Sequence, residues 1–266
     1  MGDARAVTDA YLRLFRNVPA ARSGVCRICH SGPNESRPAD GPVCSGCRRT
    51  TQGLYRPLQQ VVPISLCVHR GENSQLYDIV TRGFGPVSPS AAVDRTTLLA
   101  ATVSRFLRAH LACLTSVAGG PLTVVTTLPS THDERPVRAF DPMPRVVDMI
   151  AALRPLHRPV LMPGDSGAVA TLARRDSDER AFAVLGRLDG ARVLLLDGLL
   201  VSGARVQSAA SALHRAGAEA VVALVVARLV VPGAAGAPIW ERASAEPFTF
   251  DRCCLCDGSR TYGRRG

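Results

Sequence analysis

Four cysteines near the N-terminus form two Cys-x-x-Cys pairs, Cys26 with Cys29 and Cys44 with Cys47, separated by fourteen residues. A turn of this type directs both thiolates at one ion, and two such turns complete a sulfur tetrahedron. The interval falls just short of the usual range for paired knuckles, but loop length is the tolerant variable. Gly24, Gly46 and the neighbouring prolines suit tight turns. With all four positions taken by protein, the chemistry expected is structural Zn2+ binding rather than catalysis. Cys253, Cys254 and Cys256 stand in the C-terminal tail. Adjacent residues seldom ligate one ion together and no fourth ligand is evident, so these three read as incidental thiols in preference to the alternative, a second metal site. Cys67 and Cys113 lie in apolar runs and read as core residues. None of the six histidines stands at metal-pair spacing with another. His30 is expected to face water, and His110 and His214 to mark the surface edges of helices.

The second constellation runs Val193-Leu-Leu-Leu-Asp197-Gly198-Leu-Leu-Val201-Ser202-Gly203-Ala204-Arg205. An apolar strand, an acid, a Gly-containing loop and a helix start present backbone N–H groups and a helix N-terminus to an anion. Ser202 can donate a hydroxyl there, Gly203 permits close backbone approach, and Arg205 can pair with a phosphate. Asp197 would face sugar hydroxyls or a hydrated Mg2+. Many α/β proteins carry a glycine in such a turn, so a plain strand-to-helix connection competes with the anion-binding reading.

The elements that must position these residues follow from periodicity. Residues 5–18 read as an amphipathic helix stopped by Pro19, and 22–53 as a polar, loop-rich finger. Val61 to Val68 is a strand candidate broken by Pro63, Ser74 caps a short helix to Thr81, and a long helix spans 91–117. From 122 onward strand and helix alternate: a strand at 122–128, a polar Arg-rich loop at 129–142, a helix at 144–153, and a strand at 159–162. A strand at 192–196, a helix at 204–216 and a strand at 220–227 complete the series. That alternation predicts a doubly wound, parallel α/β sheet. Four segments are expected: an N-terminal helix (1–21), a four-Cys zinc finger (22–53), an α/β domain (54–231) and a loosely packed tail (232–266).

With 46% hydrophobic residues the chain can bury a sizeable core, and with 5% aromatics that core must be aliphatic. All 32 basic residues are Arg, and the formal charge is +10; four zinc-bound thiolates and one Zn2+ would bring it to about +8. Such an excess permits phosphate or nucleic-acid partners without demonstrating them. The N-terminus lacks a signal-peptide core, and the longest apolar run, Ala220 to Val231, is interrupted by Arg228. The expectation is a soluble cytoplasmic protein with no membrane partner, whose cysteines serve metal or remain free thiols.

The 193–205 segment resembles the PRPP-binding motif of type I phosphoribosyltransferases, in which four apolar residues and two acids precede a loop closing in Thr/Ser-Gly-x-Thr. The quartet followed by that segment is similar to the ComF family of competence-associated proteins. His69-Arg-Gly and Gln75 to Gly83 resemble the family's post-finger segment, and Thr126 to Pro129 with Arg135-x-x-Arg138-Ala-Phe140-Asp141 its Arg-Gly-Phe-Asn-Gln loop. The resemblance implies a phosphoribosyltransferase-like fold that binds PRPP or a nucleotide phosphate. It assigns Asp197 the catalytic-site role, and Gly198, Val201, Ser202, Gly203, Ala204 and Arg205 the ribose phosphate. Arg135 and Arg138 would meet the leaving pyrophosphate, and Mg2+ would accompany PRPP if transfer occurs. Gly198 stands where the motif has its second acid, and Val201 and Arg205 where it has threonines, so weak or lost transfer is expected. The alternative is a non-catalytic accessory that binds single-stranded DNA or DNA-processing proteins through the finger and the Arg-rich surface. Tyr11, Tyr55, Phe140 and Tyr262 would be its stacking candidates.

Overall fold

The computed structural model describes residues 3–32, 42–71, 74–82, 93–129, 141–233 and 237–256. Four parallel strands form the central sheet: β1 (Val61–Cys67), β2 (Val124–Thr127), β5 (Arg192–Leu200) and β6 (Ala220–Leu229), in the order β1-β6-β5-β2. Strands β3 (Leu161–Pro163) and β4 (Phe182–Val184) form a separate antiparallel pair. The α/β class and the parallel sheet with helices are as the alternation predicts.

Side chains alternate across the two faces because successive Cβ atoms of a strand point opposite ways. Leu194 and Leu196 of β5, with Val222, Leu224 and Val226 of β6, enter one apolar core. Val193 and Leu195, with Val221, Ala223 and Val225, enter the other. Burial on both faces explains why these strands read as continuous apolar runs. Helices α3 (Gln75–Arg82), α4 (Arg95–Ala118) and α5 (Met143–Met149) cover the first face. On the second lie α6 (Ser166–Ala173) and α7 (Ala204–Arg215), with α2 (Ser45–Thr51) packed on α7. Asp94 starts α4 by accepting from the Thr97 backbone N–H at 3.1 Å and its hydroxyl at 2.6 Å.

Several boundaries differ from the sequence reading, each for a physical reason. Pro63 does not break β1, because β1 is the sheet's edge strand and its ladder runs only to β6. The N-terminal helix is short, α1 (Ala4–Asp9), followed by a 3-10 turn at Leu12–Leu14. Beyond it Phe15 is buried in extended backbone, and Arg16 bonds the edge of β1 through the Ser65 hydroxyl and the Leu66 N–H. Strand β5 runs four residues past its expected end because β6 supplies partners up to Arg228. The tail expected to be loosely packed carries α8 (Ala237–Ala245) and buries Ile239, Phe250, Cys253 and Cys254. Among the described residues no helix is long and apolar enough to cross a membrane.

Candidate functional site

The cysteine quartet assembles as its spacing implies. Cys26, Cys29, Cys44 and Cys47 are all buried, and their four sulfur atoms lie within 4.8 Å of one another. The Cys44 N–H donates to Cys26 Sγ at 3.4 Å and the Cys47 N–H to Cys44 Sγ at 3.4 Å. Such donors disperse charge on thiolates. Thiol hydrogen bonds from Cys26, Cys44 and Cys47, with the Arg228 guanidinium, hold Cys29 well below the ordinary thiol range. The donor set suits a metal ion such as zinc, in a closed structural site. His30, expected to face water, is fully buried instead. Its ring donates to the Pro19 carbonyl at 3.0 Å and accepts from Gln60 Nε2 at 3.1 Å, so it props the knuckle without joining the ligands.

At the C-terminal end of β5, Asp197, Gly198, Val201, Ser202, Gly203, Ala204 and Arg205 occupy one strand-turn-helix unit. Asp197 and Gly198 lie within the strand, Val201 to Gly203 make the turn, and Ala204 and Arg205 open α7. Gly203 adopts φ +89°, a left-handed conformation that glycine reaches without strain. Ser202 Oγ accepts from the Ala204 N–H at 3.2 Å. Val201 is exposed at 42%, so an apolar side chain faces solvent in the turn. Burial pushes the Asp197 carboxyl up to about 6, against the opposing pull of Arg205 and of a bond from its neighbour's N–H, while the Asp141 charge adds to the rise. Asp141 is itself raised by burial and drawn down by Arg205. Arg205 Nη2 donates to the Pro129 carbonyl at 2.7 Å, which ties the first turn of α7 to the end of β2.

Two carboxylates and one guanidinium are therefore electrostatically coupled beside a helix N-terminus. The sequence pattern identified Asp197 and Arg205. It did not pair Asp197 with Asp141, which lies 56 positions earlier and reaches the site only through the fold. A Cβ at Gly198 would lie 3.0 Å from Val80 Cγ1 on α3, so a side chain there would need Val80 to shift by a few tenths of an ångström. Arg135 and Arg138, expected to face a leaving group, lie outside the described residues, as do Phe140 and Tyr262. Of the other stacking candidates, Tyr11 packs against the core and Tyr55 is 44% exposed, with the Arg215 guanidinium 5.1 Å from its ring.

A buried arginine joins the two sites. Arg228 of β6 is 3% exposed, and its Nη1 donates to the carbonyls of Leu200, at 3.1 Å, and Val201. Its Nη2 reaches Ser31 Oγ at 3.1 Å and Cys29 Sγ at 3.7 Å. One guanidinium thus holds both the start of the β5–α7 turn and the first knuckle.

The sequence reading missed a second cluster. His110 Nδ1 and the sulfurs of Cys113, Cys253 and Cys256 lie within 4.8 Å of one another, a set able to hold a metal ion. His110 does not mark a surface edge but is 2% exposed, and Cys113 is a member of this cluster rather than an ordinary core thiol. The available signals were the Cys253-x-x-Cys256 spacing, hidden by the adjacent Cys254, and His110 with Cys113 three apart on one helix face. No protein-family model matches the chain, and no curated protein matches it.

Proposed function

We propose that this chain is a ComF-like, phosphoribosyltransferase-fold protein that binds PRPP or a nucleotide phosphate at the β5–α7 turn and has weak or lost transfer activity. The observation that carries the reading is the strand-turn-helix unit at the C-terminal end of β5, where Gly203 and Ser202 shape the turn and Arg205 opens α7 with a bond to the Pro129 carbonyl just beyond β2. Ligands of open α/β sheets bind at that end. The first turn of α7 offers N–H groups and a positive dipole end to a phosphate, and Arg205 adds charge. Asp197 and Asp141 would take the ribose hydroxyls, Asp141 standing in for the acid that Gly198 cannot supply. Mg2+ accompanying PRPP would screen the carboxylates from its phosphates.

Transfer demands more than binding, because donors must hold the departing pyrophosphate as its charge develops. The exposed Val201 offers no hydroxyl where the motif has one. Each charge-assisted hydrogen bond missing from a phosphate site costs about 1.5–3 kcal/mol, which favours a binding role over efficient turnover.

Calorimetric titration of PRPP with Mg2+ into the protein tests the proposal. Saturable heat is expected, with affinity reduced about tenfold or more by Asp197→Ala and by Arg205→Gln. A titration of the wild-type protein that evolves no heat and leaves its melting temperature unchanged would end the reading.

A further inference from the structure

We propose that His110, Cys113, Cys253 and Cys256 form a second zinc site, a closed Cys3His tetrahedron that fastens the C-terminal segment to α4. The spacing of the ligand atoms fits one tetrahedral ion. Sulfur at about 2.3 Å and nitrogen at about 2.05 Å from zinc lie about 3.8 Å apart for S–S and about 3.6 Å for S–N. The sulfurs of Cys253 and Cys256 are 3.4 Å apart, and those of Cys113 and Cys256 3.6 Å. His110 Nδ1 lies 3.5 Å from Cys256 Sγ and 3.9 Å from Cys113 Sγ. A set this tight has no room at its centre for a multi-iron cluster.

The imidazole is oriented for ligation. His110 Nε2 donates to the Phe250 carbonyl at 2.8 Å, which leaves the lone pair on Nδ1, the nitrogen that faces the sulfurs. A carbonyl on the far nitrogen is the usual way a zinc-binding histidine has its tautomer fixed. The backbone of the tail is shaped as a knuckle: Cys253 and Cys256 exchange N–H···O bonds at 3.0 and 3.1 Å, so both sulfurs turn to one side. Cys254 is buried but does not belong to the cluster, which resolves the difficulty of two adjacent ligands. Three sulfurs and one nitrogen in a tetrahedral array select zinc among the common divalent ions.

Fastening the tail has work to do because little regular structure holds it. Between the end of α8 and Cys253 the segment packs Phe248 and Phe250, tilted, against Phe15 at 5.2 and 6.0 Å between ring centroids, with the Arg105 guanidinium 4.5 Å from the Phe250 ring. Asn17 adds a bond to the Pro247 carbonyl and accepts one from the Thr249 N–H. A metal contributed half by α4 and half by the tail converts these weak attachments into a closed loop.

Zinc content measured by elemental analysis and native mass spectrometry tests this. Two zinc ions per wild-type chain are expected, and one in Cys256→Ser and in His110→Ala. Alkylation of the wild-type protein reads the site independently of those variants. Cys113, Cys253 and Cys256 should resist modification until a chelator is added, and hydrogen exchange in residues 246–256 should then rise. One zinc per wild-type chain, with these cysteines modified at the same rate before and after chelation or recovered as a Cys253–Cys256 disulfide, would overturn the proposal.

Discussion

Asp197 is a carboxyl kept in a place where ionisation is costly, and the cost has a definite pH dependence. The group titrates near 3.8 when unfolded and at about 6 in the folded protein, burial being the main cause. Below 3.8 both states are protonated and the residue costs nothing. Between 3.8 and 6 the unfolded carboxyl ionises while the native one stays protonated, so stability falls across that window by about 3 kcal/mol relative to acid and levels off above it. Asp197→Asn removes the ionisation, so it should stabilise the protein by about 1–3 kcal/mol at pH 8 and leave it unchanged near pH 4. Thermal denaturation at the two pH values measures this, and equal melting temperatures at pH 8 would show that the carboxyl is well solvated. Under the proposed function the same variant binds phosphoribosyl ligands more weakly, so the carboxyl is retained for binding at a cost in stability. Asp197 was legible because it ends an apolar run. Asp141 was not legible as its partner, since local pattern carries no information about which distant loop returns to a strand end.

Most helices and strands were legible from periodicity; α6, β4 and α8 were not, and β5 was cut short. Asp197-Gly198 looked like the end of β5 because both residues are poor strand formers, yet the ladder to β6 continues through Asp197↔Val225 to Leu200↔Arg228. Tertiary pairing overrode propensity and shortened the turn to Val201–Gly203. Arg228, noted in the sequence as an interruption of an apolar run, fixes that turn from below through the carbonyls of Leu200 and Val201. Its Nη2 also reaches the Cys29 sulfur, whose thiol the guanidinium helps to draw down. Replacing it by methionine, similar in length and uncharged, leaves those carbonyls and that sulfur without the guanidinium. Removing one partner of a buried pair costs about 3–5 kcal/mol, and removing a group that supports a metal ligand weakens metal affinity about 10–100-fold. Arg228→Met should therefore both lower stability and release the quartet's metal to a competing chelator more readily. Unchanged metal release in a folded variant would separate the turn from the knuckle.

At the scale of the molecule, the core of the finger is completed by the α/β domain. Cys26, Ile28, Cys29, Cys44 and Cys47 belong to the same buried cluster as Val193, Leu195 and the apolar residues of α7. The Val61 N–H at the start of β1 donates to the Ile28 carbonyl at 2.8 Å. Just beyond the finger, Gln207 of α7 holds the Leu58 backbone by both its N–H and its carbonyl, at 2.8 and 3.0 Å. Sequence could not reveal this because the finger's own residues are mostly polar, and the apolar surface that completes its core lies on α7, more than 150 positions away. Metal at the quartet should consequently stabilise the whole α/β domain rather than residues 22–53 alone. Cys44→Ser removes one of four ligands, and structural zinc sites contribute about 10–16 kcal/mol in isolated fingers. Even a fraction of that exceeds the margin of a typical domain. The variant should lose metal from the quartet and melt in a single transition at lower temperature, with hydrogen exchange rising in α7 and the adjoining strands as well as in the finger. Faster exchange confined to residues 22–53, with α7 as protected as before, would show instead that the knuckles fold and unfold on their own.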